Sequence, residues 1–280
     1  MTKDGIYCIA ELSCNHSGLL PKAKRLICEA KKAGADAVKV QYFKPEHMTV
    51  DSDDFVIKDG IWAGHKLYDL YSQARTPQEW FPELKDLAES LGLGFIVSIY
   101  HPDALDFTEK LGVRTYKISS FELTYDDLIE EVAYTKKALI LSTGSADYKE
   151  IDRAVNTIRK YHNCFILLKC TSEYPAMAEN LNLKTILAMR RSFKCDIGFS
   201  DHTAGILAPI VAVSMGAKVI EKHLKVDNDC LDAKFSIMPD MFAMMVKCVH
   251  EAYAAIGEIS YGGNKQFRRQ KIEGRMVRTV

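Results

Sequence analysis

The chain has 280 residues, slightly more than one barrel-sized domain needs, and 48% apolar with 26% charged residues is ordinary globular composition with ample core material. Lys plus Arg (37) balances Asp plus Glu (37), so no global field recruits nucleic acid or an anionic membrane, and any anionic ligand must be held by a few local cations. The longest apolar stretch, 206–217, contains Pro209, Ser214 and Gly216 and is too short to span a bilayer, while Glu11 interrupts the first apolar run too early for a signal peptide. None of the eight cysteines forms a CxxC pair, and Cys8, Cys28, Cys170 and Cys248 sit inside apolar runs. They read as reduced core thiols, so a soluble, cytoplasmic protein is expected.

A helix-like stretch, a glycine and a short apolar run recur along the chain. The unit appears as AKKAGADAVKVQ (30–41), AESLGLGFIVS (88–98), TEKLGVRTYKIS (108–119) and AVSMGAKVIEKH (212–223). Gly34, Gly92, Gly112 and Gly216 stand where a helix must stop, and each apolar run suits a parallel strand buried on both faces. In chain order the predicted strands are Ile6–Leu12, Ala37–Tyr42, Gly94–Ser98, Thr115–Ile118, Ala138–Ser142, Phe165–Cys170, Asp196–Ser200 and Lys218–His223. Helical patterns fall at 22–33, 77–91, 103–111, 125–134, 148–161, 183–192, 206–215 and 239–256. Eight strands, each followed by a helix, predict an α/β (β/α)8 TIM barrel, and no GxGxxG or GxxxxGK[ST] follows the first strand to favour an open nucleotide-binding sheet.

Three connections exceed plain loops: 43–76 after the second strand, 171–182 after the sixth and 224–238 after the eighth. The first, with Trp62 and several tyrosines, reads as a lid or an oligomer contact. The barrel is expected to span residues 1–257, and the Gly-rich, basic segment 258–280 reads as a linker-like tail.

Polar residues gather at the C-terminal ends of the predicted strands, the face where barrels keep their chemistry. Glu11, Lys39, Gln41, Ser98, Lys117, Ser120, Glu122, Ser142, Thr143, Ser172, Tyr174, Ser200, His202 and His223 all lie there. Taken singly, the lysines could snorkel to solvent, Thr143 could cap the next helix, and Asp201–His202 could start one. Convergence from independent strands argues for a site instead. His202 and His223 follow adjacent strands and suit a catalytic divalent metal with open coordination positions. Glu11, on the strand that closes against the eighth, is placed to complete a carboxylate shell or to act as acid or base. Lys39 and Lys117, with the hydroxyls of Ser98, Ser120, Ser142 and Ser200, suit a small, highly charged anion.

The runs IAELSCNHSG (9–18), AGADAVKVQ (33–41), YKISSFE (116–122), LSTG (141–144), LLKCTSEYP (167–175), GFSDHT (198–203) and VIEKH (219–223) resemble the sialic acid synthase family, across residues 6 to 260. Segment 55–80, FVIKDGIWAGHKLYDLYSQARTPQEW, is most similar to its pseudaminic acid synthase branch. The resemblance implies condensation of phosphoenolpyruvate with an N-acetylated amino-hexose aldehyde, in that branch a diacetamido-trideoxy hexose, giving a nonulosonic acid and phosphate. It implies His202 and His223 as ligands of manganese, magnesium or cobalt, and Lys39, Ser98, Lys117, Ser120, Ser142 and Ser200 as phosphoenolpyruvate contacts. Gln41, Tyr174 and Asp232 then match the sugar side, and Glu11 and Glu122 the carboxylates that handle water and protons.

Three departures all fall on the sugar side. Members usually carry a C-terminal antifreeze-like domain, whereas this sequence runs only to Val280; Cys230–Leu231 replace the usual Gly-Pro before Asp232; and Ser172 stands where sialic-type members have asparagine. A homodimer is implied by the resemblance, and a separately encoded capping domain stays open beside it. Two alternatives remain: a phosphoenolpyruvate-dependent synthase for another aldose or a phospho-aldose, with Arg75 or Arg114 as its extra cation, and a non-catalytic barrel acting as a binding or scaffold protein.

Overall fold

Eight short apolar runs pair in parallel, each with the next, and the last returns to the first to close a barrel. The computed structural model describes residues 5–261, 269 and 272–274. The elements are β1 (Tyr7–Glu11), α1 (Leu20–Lys32), β2 (Ala37–Tyr42), α2 (Pro45–Met48), α3 (Leu67–Ala74), α4 (Phe81–Ser90), β3 (Gly94–Ile99), α5 (Ala104–Lys110), β4 (Thr115–Ile118), α6 (Asp126–Tyr134), β5 (Ala138–Ser142), α7 (Tyr148–Arg159), β6 (Phe165–Cys170), α8 (Thr185–Phe193), β7 (Asp196–Asp201), α9 (Leu207–Ser214), β8 (Val219–His223) and α10 (Pro239–Ile256). The fold is the (β/α)8 barrel expected, with strand bounds within one residue of those read from the sequence. Helix bounds moved more. α1 starts two residues early because Pro21 is tolerated in a first turn, where its missing N–H has no intrahelical acceptor. The pattern expected from 77 begins instead as a 3-10 turn at Gln78–Trp80 and becomes α4 only at Phe81.

Strand alternation sorts the core into two layers. Ile9, Ala37, Ile96, Ile140, Ile166, Leu168 and Val219 point to the barrel axis and plug its interior. The intervening residues, among them Val38, Val97, Leu141, Phe199 and Ile220, point outward into the larger layer under the helices. The four glycines expected at helix ends take φ between 72° and 97°, a region other residues enter only at a cost. Gly198 serves a different need: a Cβ there would lie 2.5 Å from both Leu168 Cδ2 and the Val219 carbonyl, so β6, β7 and β8 pack around its hydrogen.

Cysteine burial only partly follows expectation. Cys8 and Cys170 are core residues, but Cys28 and Cys248 are half-buried on helix flanks, and all eight thiols are free. Among the described residues no helix is long and apolar enough to cross a membrane. Of the expected tail, 262–268, 270–271 and 275–280 lie outside the described residues.

Candidate active site

Two residues beyond the apolar plug, the same inward-facing rows turn polar. Glu11, Lys39, Ser98, Lys117, Ser142, Cys170, Ser200 and Glu221 form a buried ring near the C-terminal ends of the strands, where the inward side chains lie at or just beneath a cavity rather than in more core. Lys39 Nζ lies 3.0 Å from Glu11 Oε2 and 3.4 Å from Glu221 Oε1, and donates to Ser98 Oγ at 3.3 Å. Gln41 donates to Glu11 Oε1 at 2.7 Å, and Ser200 to Glu221 Oε1 at 2.9 Å. Burial alone would depress the Lys39 pKa, but Glu11 and Glu221 outweigh it and hold the ammonium charged. Glu221 is likewise kept below the usual carboxylate range: burial pushes it up, and Lys39 and Lys117 pull it further down.

Lys117 is different. It is 1% exposed and donates to Ser142 Oγ at 2.7 Å and the Ile118 carbonyl at 3.0 Å, yet among the described residues it makes no ion pair. Burial pulls its pKa down to about 8, against the opposing pull of Glu221. An ammonium without a carboxylate partner, held by hydroxyl and carbonyl dipoles, is suited to receive an anion. The snorkelling alternative is excluded for both lysines, neither of which reaches solvent.

The cavity above this floor has a volume of 420 Å³, within the range of small-molecule sites. Lys39, Gln41, Ser120, Ser142, Ser172, Tyr174, Ser200, His202, His223 and Asp232 line it. Glu11, Ser98 and Lys117 sit directly beneath, bonded to lining residues. Ser120 accepts from Gly144 N at 3.0 Å, and Ser145 donates to Ser172 at 3.2 Å. Glu122 stands aside in the 3-10 turn Glu122–Thr124, where it accepts a hydrogen bond from Ser119, and burial raises its pKa to about 7.

The His202 and His223 rings face each other with centroids 5.4 Å apart. His202 Nδ1 lies 2.9 Å from the Thr171 carbonyl; a neutral ring donating there keeps its lone pair on Nε2. His223 Nδ1 is buried without a hydrogen-bond partner, 3.4 Å from Asp232 Oδ2. An orphaned nitrogen beside a carboxylate, opposite a second imidazole that offers a lone pair when neutral, fits a divalent metal ion. A second group, His47, His101 and Asp103, also brings its ligand atoms within 4.8 Å of one another, with the two imidazoles stacked at 4.7 Å, but none of the three lines the cavity.

The 43–76 insertion is the lid. An antiparallel bridge between Val56 and Lys66 folds it back, and Trp62 crosses to the loop after β8, donating to the Leu231 carbonyl at 3.3 Å. Met48, Ile57, Leu67, Leu70 and Ala74 present an apolar underside to the cavity.

Several expectations change. Thr143 caps no helix: its hydroxyl donates to the Leu168 carbonyl, and Asp147 caps α7 through a capping box with Glu150. Asp201–His202 does not start a helix, since α9 begins at Leu207. Arg75 lines a separate groove at the base of the lid, and Arg114 precedes β4 at the opposite end of the barrel, so neither offers a cation to the cavity. Glu221 escaped notice, although period-two alternation from His223 marks it as inward-facing. Phe235, whose ring lies 4.8 Å from His223, carried no local signal at all.

Known proteins share this architecture. The chain is 40% identical over 262 residues to the pseudaminic acid synthase of Campylobacter jejuni subsp. jejuni, covering 92% of this chain and 76% of that protein. It is 41% identical over 255 residues to the pseudaminic acid synthase of Helicobacter pylori, covering 89% and 75%. The crystal structure of the N-acetylneuraminic acid (sialic acid) synthetase of Leptospira borgpetersenii in complex with citrate superposes with a TM-score of 0.87 at 30% identity, over 97% of this chain and 92% of that one. The match to the NeuB family runs over residues 26–261, from within α1 to beyond the end of α10, and the chain belongs to that family.

Proposed function

We propose that the chain condenses phosphoenolpyruvate with the open-chain aldehyde of an N-acetylated amino-hexose, giving a nonulosonic acid and phosphate. The observation that carries this reading is Lys117, a buried ammonium without a carboxylate partner among the described residues, beneath one wall of a cavity whose other side holds two facing histidines. Phosphoenolpyruvate is the kind of anion such a floor suits, with Lys117, Ser120 and Ser142 toward its charge and Lys39 restrained between Glu11 and Glu221. Its C3 forms the bond to the aldehyde carbon, water adds at C2, and the bond from C2 to the phosphate oxygen breaks to release phosphate. Glu122, with a pKa of about 7, can take or give a proton near neutrality, and Glu11 is a second buried carboxylate within reach of the floor. His202 and His223, with Asp232 beside them, would hold manganese, magnesium or cobalt, which when bound supplies Lewis acidity toward the aldehyde oxygen.

The apolar underside of the lid favours a deoxygenated, acetamido-bearing sugar over a fully hydroxylated one, in keeping with the relatives named pseudaminic acid synthase. The free thiols support a reducing, cytoplasmic setting.

Phosphate release from phosphoenolpyruvate tests the reading, measured with Mn2+ against N-acetylmannosamine and the diacetamido-trideoxy hexose. Release is expected to require both sugar and metal, to be greater with the trideoxy sugar, and to vanish in His223→Ala. Failure of the protein to bind phosphoenolpyruvate at all would sink the reading.

A further inference from the structure

Directly behind the two histidines, on the outer face of the sheet, lies an ion pair for which the chemistry above has no use. Asp201 and Lys222 are register partners on β7 and β8, one residue before His202 and His223. Alternation turns their side chains away from the barrel axis, into the layer that holds Phe199 and Ile220. Both side chains are fully buried, with Lys222 Nζ 2.7 Å from Asp201 Oδ2. Thr203, on the far side of His202, is bound by both partners. Its N–H donates to Asp201 Oδ1 at 2.9 Å, its hydroxyl donates to Asp201 Oδ2 at 3.1 Å, and its carbonyl accepts from Lys222.

Stability alone does not account for this arrangement. Taking two charges out of water is costly, and a well-packed apolar pair of similar volume generally serves the fold as well or better. An apolar pair would not fix position. Asp201↔Lys222 is the last rung of the β7–β8 ladder, and His202 lies just past it, where backbone pairing between these strands has ended. The pair holds the chain on both sides of His202, at residues 201 and 203, and anchors both points to the residue preceding His223. Each bond is charge-assisted, directional and buried from competing water.

We propose that Asp201, Lys222 and Thr203 form a positioning clamp that sets the spacing of the His202 and His223 imidazoles for a divalent metal. The clamp rests on the reading of those histidines as the metal-holding pair. Neither Asp201 nor Lys222 touches substrate or metal; both act through the backbone of the residue that does.

The test is Mn2+ affinity of the full, metal-stripped chain, read from the electron paramagnetic resonance signal of free Mn2+, with the melting temperature of each metal-free variant measured in parallel. Asp201→Leu/Lys222→Met removes both charges at similar volume. It should bind Mn2+ about 10- to 100-fold more weakly, the usual effect of losing a group that orients a metal ligand, while its metal-free melting temperature stays close to that of the unaltered chain. Lys222→Arg, which keeps the pair, should retain most of the affinity. Wild-type affinity in the folded double variant would overturn the proposal. If the double variant does not fold, Thr203→Val decides: a loss of about threefold supports the clamp, as expected for one hydrogen bond, and unchanged affinity overturns it. Equal Mn2+ binding by His223→Ala and the unaltered chain would sink the metal reading itself and the clamp with it, which separates the two failures.

Discussion

The floor of the cavity is made of strand ends and its lid of the 43–76 insertion, and the two face each other with opposite chemistry. On the floor, Lys39, Glu11, Glu221 and Lys117 are buried charged groups whose positions follow from the barrel ladder. Across the gap, Met48, Ile57, Leu67, Leu70 and Ala74 are apolar, and they reach the cavity through short helices and one antiparallel bridge. Rigid strands can hold buried charges because every partner is itself locked; an insertion with few ladder bonds can only offer surface. On the proposed function, reaction chemistry is therefore expected of the floor and substrate choice of the lid.

This division can be broken experimentally. The largest effect is expected from Lys117→Met, which removes the unpaired ammonium: kcat/KM for phosphoenolpyruvate should fall about 10^2- to 10^3-fold. Denaturant unfolding should show stability kept or raised, since a buried, unpaired charge is gone. A second, graded effect comes from pH. The Lys117 pKa is depressed to about 8, so the free enzyme loses this charge as pH rises through that value. The pH profile of kcat/KM should therefore descend on its alkaline side near 8, and Lys117→Arg should move that limb upward out of the range. An alkaline limb that stays put in the arginine variant would assign it to another group.

Smaller effects probe the lid. Trp62→Ala removes the ring that crosses to Leu231 and packs 5.7 Å from Tyr174. Steady-state kinetics should show the sugar KM raised about tenfold, with the phosphoenolpyruvate KM unchanged. A matched rise in both would mean that lid and floor are not separable. The smallest effect is expected from Lys66→Ala, whose partners Asp51 and Asp53 are 63% and 95% exposed. The unfolding midpoint and both KM values should stay where they are, because exposed pairs of this kind contribute little.

Legibility followed the same boundary between floor and lid. Strands of four to six residues, each announced by an apolar run and many by a preceding glycine, located the floor, because alternation and parallel pairing then dictate which side chains converge. Glu221 belongs to that logic, since alternation from His223 turns it inward, but a glutamate inside an otherwise apolar run carries no local mark of its buried partner Lys39. The lid had no such code. Trp62 could be placed in an unusual insertion, but its contact with Tyr174 and Phe235 spans three separate connections of the chain.

From the sequence alone came the barrel, the order of its strands and the ring of polar strand ends, since these rest on local periodicity and on one closure rule. Only tertiary structure decided the charge state of that ring. Lys39 and Lys117 are the same residue type at equivalent inward positions near the ends of their strands, yet among the described residues one is paired with two carboxylates and the other with none. The difference arises because β2 lies beside β1, which carries Glu11, with Glu221 of β8 also in reach, whereas β4 lies between Ser98 of β3 and Ser142 of β5. Pairing across a closed barrel depends on neighbours far apart in the chain, and no local pattern encodes it.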